Sequence, residues 1–197
     1  MKLNSEIFEA IKLNNSTIST AKVLELGYSK TMLTKYVNAG LLERIGRGIY
    51  ALPDTIVDDM YVFMLRSEKI IFSHDTALFL NGLSNRTPFL HSVTIPNNAT
   101  LSKAMSDECV CYYVKSELHE LGLTMRNTTF GNRVRCYNIE RTICDLLRSR
   151  KRCDDETVID AIKNYAAAEK KDLNRLASYA NTFKVAKELR KYMEVLL

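Results

Sequence analysis

The chain has 197 residues, 46% hydrophobic and 26% charged, a composition that supports a real core and excludes disorder or a fibrous repeat. No apolar run reaches the ~18–20 residues of a membrane span, and the start MKLNSEIFEAIKLNN lacks a signal-peptide pattern. Five cysteines without a Cys-x-x-Cys pair are expected to be free thiols, which fits the cytoplasm. The net charge of +5 is unevenly placed: Lys/Arg against Asp/Glu run seven to four in residues 1–52, five to nine in 53–125 and sixteen to ten in 126–197. Two basic ends flank an acidic middle, and basic segments suit polyanions.

Asn4 or Ser5 caps a first helix, with Leu3, Ile7, Phe8 and Ile11 at helical spacing, ending near Asn14-Asn15. Ser16–Thr20 reads as a polar link. A short helix follows, with Ala21, Val23, Leu24 and Leu26 on its apolar side, and stops at Gly27. Ser29 caps a third helix through Ala39 with Met32, Leu33, Tyr36 and Val37 inward. Leu42–Leu52 reads as a β-hairpin around Gly46 and Gly48 with Arg47 at its tip. Pro53-Asp54 opens a linker, which places the domains at residues 1–54 and 55–197.

The second part is mixed. A helix is expected over Asp58–Glu68 and another after Ser73 containing Ala77, Leu78 and Leu80. His91–Ile95 is a strand. Val110–Val114, continuously apolar, reads as a central strand. Leu123–Phe130 and Arg133–Tyr137 read as a hairpin around Gly131-Asn132. From Asn138 the pattern is helical, with faces formed by Ile139, Ile143, Leu146 and Leu147, then Val158, Ile159, Ile162 and Ala166, then Leu173, Leu176 and Ala177, then Val185, Leu189, Met193 and Leu196.

Three short helices followed by a hairpin with arginines is the order of a winged helix-turn-helix. The expected fold is therefore α+β: an N-terminal winged helix-turn-helix, then a mixed α/β domain with a helical C-terminus. The third helix leaves Lys30, Thr31, Thr34, Lys35 and Asn38 outward, side chains able to meet phosphates and base edges in a major groove. Arg44 and Arg47 on the hairpin would reach the adjacent backbone or minor groove.

Residues 20–52, TAKVLELGYSKTMLTKYVNAGLLERIGRGIYAL, resemble the N-terminal winged helix of the AbiE-type antitoxins. FSHDTALFLNGLSNRTP, HSVTIP and NIERTICDLLRS resemble the domain that follows it in that family. The resemblance implies a regulator from a type IV toxin–antitoxin system of abortive phage infection. It implies binding to inverted repeats in the operator DNA of its own promoter, with repression. It further implies a C-terminal domain that counteracts a nucleotidyltransferase toxin, and a monomer in solution. No cofactor, metal or membrane is implied.

Other motifs carry less. Ser73-His74-Asp75 has the residue types of a catalytic triad, but neighbours at one helix start cannot face each other as nucleophile and base. Ser73 reads instead as a cap. Cys109-x-Cys111 with His91 and His119 lacks the paired spacing of a zinc site. Glu140 with Asp145, and Asp154–Glu156, are the carboxylates a metal-dependent nuclease would need. That nuclease, and a transcription factor without antitoxin function, are the alternatives. The basic run Arg148, Arg150, Lys151 and Arg152, with Lys184, Lys187, Arg190 and Lys191, is a second candidate surface for DNA or toxin.

Overall fold

The computed structural model describes residues 2–196, and side chains as far as Glu194. By contacts the chain divides into two units: residues up to Glu68 with Asn127–Val134, and Lys69–Arg126 with Arg135 onward. Both are mixtures of helix and sheet.

The first unit opens with α1 (Ser5–Leu13), whose N-cap is Asn4: its Oδ1 accepts the N–H groups of Glu6 at 2.9 Å and Ile7 at 3.4 Å. Ile7, Ala10 and Ile11 face the core. The helix ends in two successive left-handed residues, Asn15 (φ 46°) and Ser16 (φ 63°), and the chain turns into a strand, β1 (Thr17–Ser19). The polar link expected here is thus partly a strand, whose one aliphatic residue, Ile18, is too little to show a period of two. Next come α2 (Thr20–Glu25), α3 (Lys30–Asn38), β2 (Glu43–Gly46), β3 (Ile49–Ala51) and α4 (Asp59–Leu65).

The three strands form an antiparallel sheet in the order β1-β3-β2, with Ile18 opposite Tyr50, Arg44 opposite Tyr50 and a bulge between Arg44 and Gly46. Ile7, Ile11, Ile18, Val23, Leu33, Tyr36 and Leu42 make one core. Tyr36 accepts the Asn4 N–H at 3.0 Å, anchoring the start of α1 to α3. On α3 the inward stripe holds as Leu33 and Tyr36, flanked by half-buried Met32 and Val37. On α2 only Val23 is buried; Leu24, expected inward, is 47% exposed, because six residues present a single position to the core. Asp58 is the N-cap of α4 and is buried. Its Oδ1 accepts the Tyr61 N–H at 3.1 Å, and its Oδ2 accepts the Thr128 hydroxyl at 2.6 Å and the Asn132 amide at 2.8 Å. The tip of a distant hairpin is thereby built into this unit.

The second unit comprises β4 (Ile71–Phe72), α5 (His74–Leu80), β5 (His91–Pro96), α6 (Lys103–Ser106), β6 (Cys109–Val114), β7 (Leu123–Asn127), β8 (Arg133–Tyr137), α7 (Ile139–Arg148), α8 (Asp155–Ala167), α9 (Leu173–Thr182) and α10 (Ala186–Leu196). The ends of β7 and β8 nearest their connecting loop belong to the first unit. The sheet order is β6-β5-β4-β8-β7. β4 runs antiparallel to β5 and parallel to β8, and β5 runs parallel to β6.

Two expectations fail here. The strand read as central, β6, lies at an edge with Tyr113 52% exposed. The central strand is the two-residue β4, fully buried and too short to announce itself. The helices gather Leu78, Ile143, Leu146, Val158, Ile162, Tyr165, Leu176, Phe183 and Leu189 into a second core. The side chain expected from Leu196 lies outside the described ones.

The amphipathic stripe expected on α7 understates its burial, since every residue from Glu140 to Leu147 is buried, charges included. Arg141 donates Nε to Asp145 at 2.9 Å and Nη1 to the carbonyls of Leu118 at 2.9 Å and Leu121 at 2.8 Å. Its guanidinium lies between the rings of Tyr137 and Phe183, 4.2 and 4.0 Å from their centres. Gly122, in the left-handed region at φ +83°, lets the chain pass here, since a Cβ on it would lie 2.7 Å from that of Arg141.

Candidate nucleic-acid interface

α3 has two faces because its residues are spaced for two environments. Leu33 and Tyr36 bury one side. Lys30, Thr31, Thr34, Lys35 and Asn38, at i, i+1, i+4, i+5 and i+8, are all exposed on the other. Ser29, expected to cap the helix, stands at the N-cap position but its hydroxyl makes no cap bond, and Gly40 (φ +67°) ends the helix. Nine residues make a rod about 13 Å long, commensurate with a major groove about 12 Å wide. No described residue makes an ion pair with Lys30 or Lys35. The acidic residues of this unit are largely engaged elsewhere: Glu6 accepts the Tyr28 hydroxyl at 2.6 Å, which raises that phenol's pKa, Glu9 pairs with Lys12, and Glu25 pairs with Lys22 at 2.9 Å.

The β2–β3 hairpin turns through Arg47-Gly48, and Arg44 and Arg47 are exposed. Arg44 donates Nε to the Gly46 carbonyl at 3.2 Å. Gly48 is in the left-handed region (φ +73°) and Gly46 is not, so the turn requires the second glycine. Thr20, at the start of α2, donates its N–H to the Gly48 carbonyl at 2.7 Å and its hydroxyl to the same atom at 3.2 Å. This tether joins residues far apart in sequence, and no local pattern marks it.

The second candidate surface behaves differently. Arg148 lies 3.4 Å from Asp145 and donates to the Tyr113 carbonyl at 3.5 Å; Arg152 stacks 4.1 Å over the Tyr112 ring and donates to the Cys111 carbonyl at 3.2 Å. These two arginines occupy alternate carbonyls of the edge strand β6. Arg150 pairs with Asp155 at 2.9 Å, and Lys191 with Glu188 at 3.1 Å. Lys151, Lys184, Lys187 and Arg190 are exposed, and no described residue bonds to their charged ends.

The rejected motifs have definite places. Ser73 stands at the N-cap of α5, but its hydroxyl makes no cap bond. It accepts the Thr94 hydroxyl at 2.8 Å and lies 3.0 Å from His74 Nδ1. His74 is buried and left-handed (φ 46°), stacks on Tyr112 with ring centres 3.4 Å apart, and puts Nε2 3.0 Å from Ser149 Oγ. Burial, with Arg148, Arg152 and Arg141 nearby, holds its pKa well below the usual value. All five cysteines are free thiols. Among the described residues, no group of three His, Cys, Asp or Glu side chains is placed to hold a metal, and no helix is long and apolar enough to cross a membrane.

Residues 5–53 match the model of a family described as transcriptional regulator, AbiEi antitoxin. This segment is similar to the AbiEi antitoxin regulators over those residues. It spans α1 to the end of β3, the whole of the three-stranded sheet. The fold of the longer chain is similar to that in the crystal structure of the RV2827C protein from Mycobacterium tuberculosis, with a TM-score of 0.52 over 96% of this chain and 80% of that one. The two sequences are 10% identical, so the likeness is one of fold. No curated protein matches. The matched segment contains all seven residues singled out for DNA contact on α3 and the hairpin.

Proposed function

We propose that the AbiEi-type segment is a winged helix-turn-helix that binds operator DNA at inverted repeats in its own promoter and represses transcription. The observation that carries this is the outward face of α3, where Lys30, Thr31, Thr34, Lys35 and Asn38 are exposed together and the lysines have no ion pair with any described residue. α3 is the recognition helix in this reading, and Arg44 and Arg47 contact the flanking backbone. The unpaired lysines would exchange counterions for phosphates, so affinity falls steeply with salt.

The second unit, in the same proposal, counteracts a nucleotidyltransferase toxin; the AbiEi match to residues 5–53 supports an antitoxin role for the chain in general. A nuclease is disfavoured by the state of its carboxylates. Asp145 is taken by Arg141 and Arg148. Glu140 accepts from Tyr165 and from the Asp172 N–H. Asp154 caps α8, accepting the Thr157 N–H at 2.9 Å.

The test is a titration of the protein's own upstream DNA against a shuffled duplex at about 150 mM salt. Preference for the native duplex by about tenfold or more, in two binding steps, supports paired operator sites. Equal weak binding to both sinks the operator reading. Whether the adjacent gene encodes a nucleotidyltransferase, and whether co-expression with this chain relieves that product's toxicity, tests the antitoxin role separately.

A further inference from the structure

The end of the second unit carries a feature that neither the DNA reading nor the fold explains. α9 and α10 present Leu173, Leu176, Ala177 and Ala180 against Ala186, Leu189, Arg190 and Met193, each set at i, i+3, i+4 and i+7. Leu176, Ala180 and Leu189 close the floor, being buried. Above them the helices do not meet. They leave a groove of about 300 Å³ whose walls include exposed Ala177, Asn181 and Arg190, with Leu173 43% exposed. Small residues on both helices keep it open.

Its surroundings are cationic. Of the five Lys or Arg in residues 173–194, Arg175 pairs with Asp172 and Lys191 with Glu188, which leaves Lys184, Lys187 and Arg190 without an ion pair to any described residue. Arg190 stands in the wall itself. An apolar floor with a basic rim has one complement: a segment with a row of apolar side chains, flanked by carboxylates. Row and groove match most simply when that segment is helical. Duplex DNA fits less well, since phosphates would face Leu and Met side chains where they need donors.

We propose that the α9–α10 groove is a docking site for an acidic amphipathic helix of a partner protein. The apolar row would fill the groove, and its carboxylates would pair with Arg190 and the neighbouring Lys184 and Lys187. The inference is independent of operator binding.

The test uses the full chain and a fluorescein-labelled helical peptide of about four turns, with Leu at i, i+3, i+4 and i+7 and Glu elsewhere. Three other probes accompany it: the peptide with Lys for Glu, the peptide with Ser for Leu, and the operator duplex. Anisotropy is read at about 150 mM salt. The acidic leucine peptide should bind, and the other two peptides should bind at least about tenfold more weakly. Ala177→Glu, at an exposed position, fills and charges the groove and should weaken the peptide about tenfold or more while leaving duplex affinity unchanged. Arg190→Glu should weaken the peptide likewise and serves, by peptide affinity alone, if Ala177→Glu does not fold. Lys115→Glu, an exposed charge reversal elsewhere, should leave peptide binding unaltered. No binding, equal binding of the serine or lysine peptide, or equal weakening by Lys115→Glu would overturn the proposal. So would weakening of the duplex with the peptide unchanged.

Discussion

Thr20 donates its backbone N–H to the carbonyl of Gly48 at 2.7 Å, so the start of α2 grips the turn of the hairpin that follows α3. A Cβ on Gly48 would lie 3.2 Å from Thr20 Oγ1 and would sit at φ +73°. Gly40 is equally left-handed (φ +67°), but a Cβ there meets nothing within 4 Å. Gly40→Ala should therefore cost only the left-handed penalty, about 1–2 kcal/mol. Gly48→Ala should cost that and also disturb the tether. Urea unfolding of the two variants measures the difference. If Gly48→Ala is no worse than Gly40→Ala, the tether contributes nothing.

The proposed DNA face would make two kinds of contact, and they separate experimentally. Replacing Lys30, Lys35, Arg44 or Arg47 by Ala should weaken binding to native and shuffled duplexes alike, each lowering the salt slope by about one. Replacing Thr31, Thr34 or Asn38 should instead narrow the preference for the native duplex, by about 1–3 kcal/mol where a base pair is read. Titrations at several salt concentrations distinguish the classes. An Arg44→Ala, Arg47→Ala double variant with unchanged affinity would remove the hairpin from the interface.

How far the sequence revealed this depends on where each signal lies. The helices of the first unit were legible because caps and stripes are local: Asn4, Gly27, Ser29 and Gly40 mark their ends. β1 was not, because three residues hold one aliphatic side chain and gain their partners from β3. β4 was missed for the same reason, at two residues. β6 misled because apolar composition does not say which neighbours a strand has: its two tyrosines split, Tyr112 buried against His74 and Tyr113 exposed. On α7 the letters Glu, Arg and Asp look like solvent, and only the fold shows Arg141 between two rings and bound to Asp145. The outward face of α3 could be read because its other side is strongly apolar. The α9–α10 groove could not, since Leu173, Ala177 and Met193 look like core until the helix spacing is known.

The buried pair on α7 gives a stability prediction. Burial pushes the Asp145 carboxyl's pKa up, while Arg141 and Arg148 pull it down. Asp145→Ala leaves the buried Arg141 guanidinium without its carboxylate and should cost about 3–5 kcal/mol, and Arg141→Met leaves Asp145 only Arg148, at 3.4 Å, and should cost no more than that. Removing both should cost less than the sum, because no lone charge stays buried. Gly122→Ala acts on the same place by sterics, with a Cβ 2.7 Å from that of Arg141 at φ +83°. It should cost at least the left-handed penalty of about 1–2 kcal/mol. Additive single and double variants would show that the pair is not coupled.

His74 gives the pH dependence its sign. Its folded pKa is held below the unfolded value of about 6.5, first by burial and then by three arginines. Above about pH 6.5 both states are neutral and this group costs nothing. As the pH falls below that value, the unfolded chain takes up a proton that the folded one refuses, so stability declines on acidification. His119, lowered by its own burial, adds in the same direction. Asp145, raised by burial, acts oppositely from its ordinary value of 3.8 upward, so the histidine contribution is read from the difference between the pH profiles of His74→Asn and the unaltered protein. His74→Asn keeps a residue that tolerates φ 46° and removes the titration. Its stability should be lower at pH 8, through loss of the Tyr112 stack, and its pH profile flatter than that of the unaltered protein. An equally steep decline in His74→Asn would assign the acid sensitivity to another group.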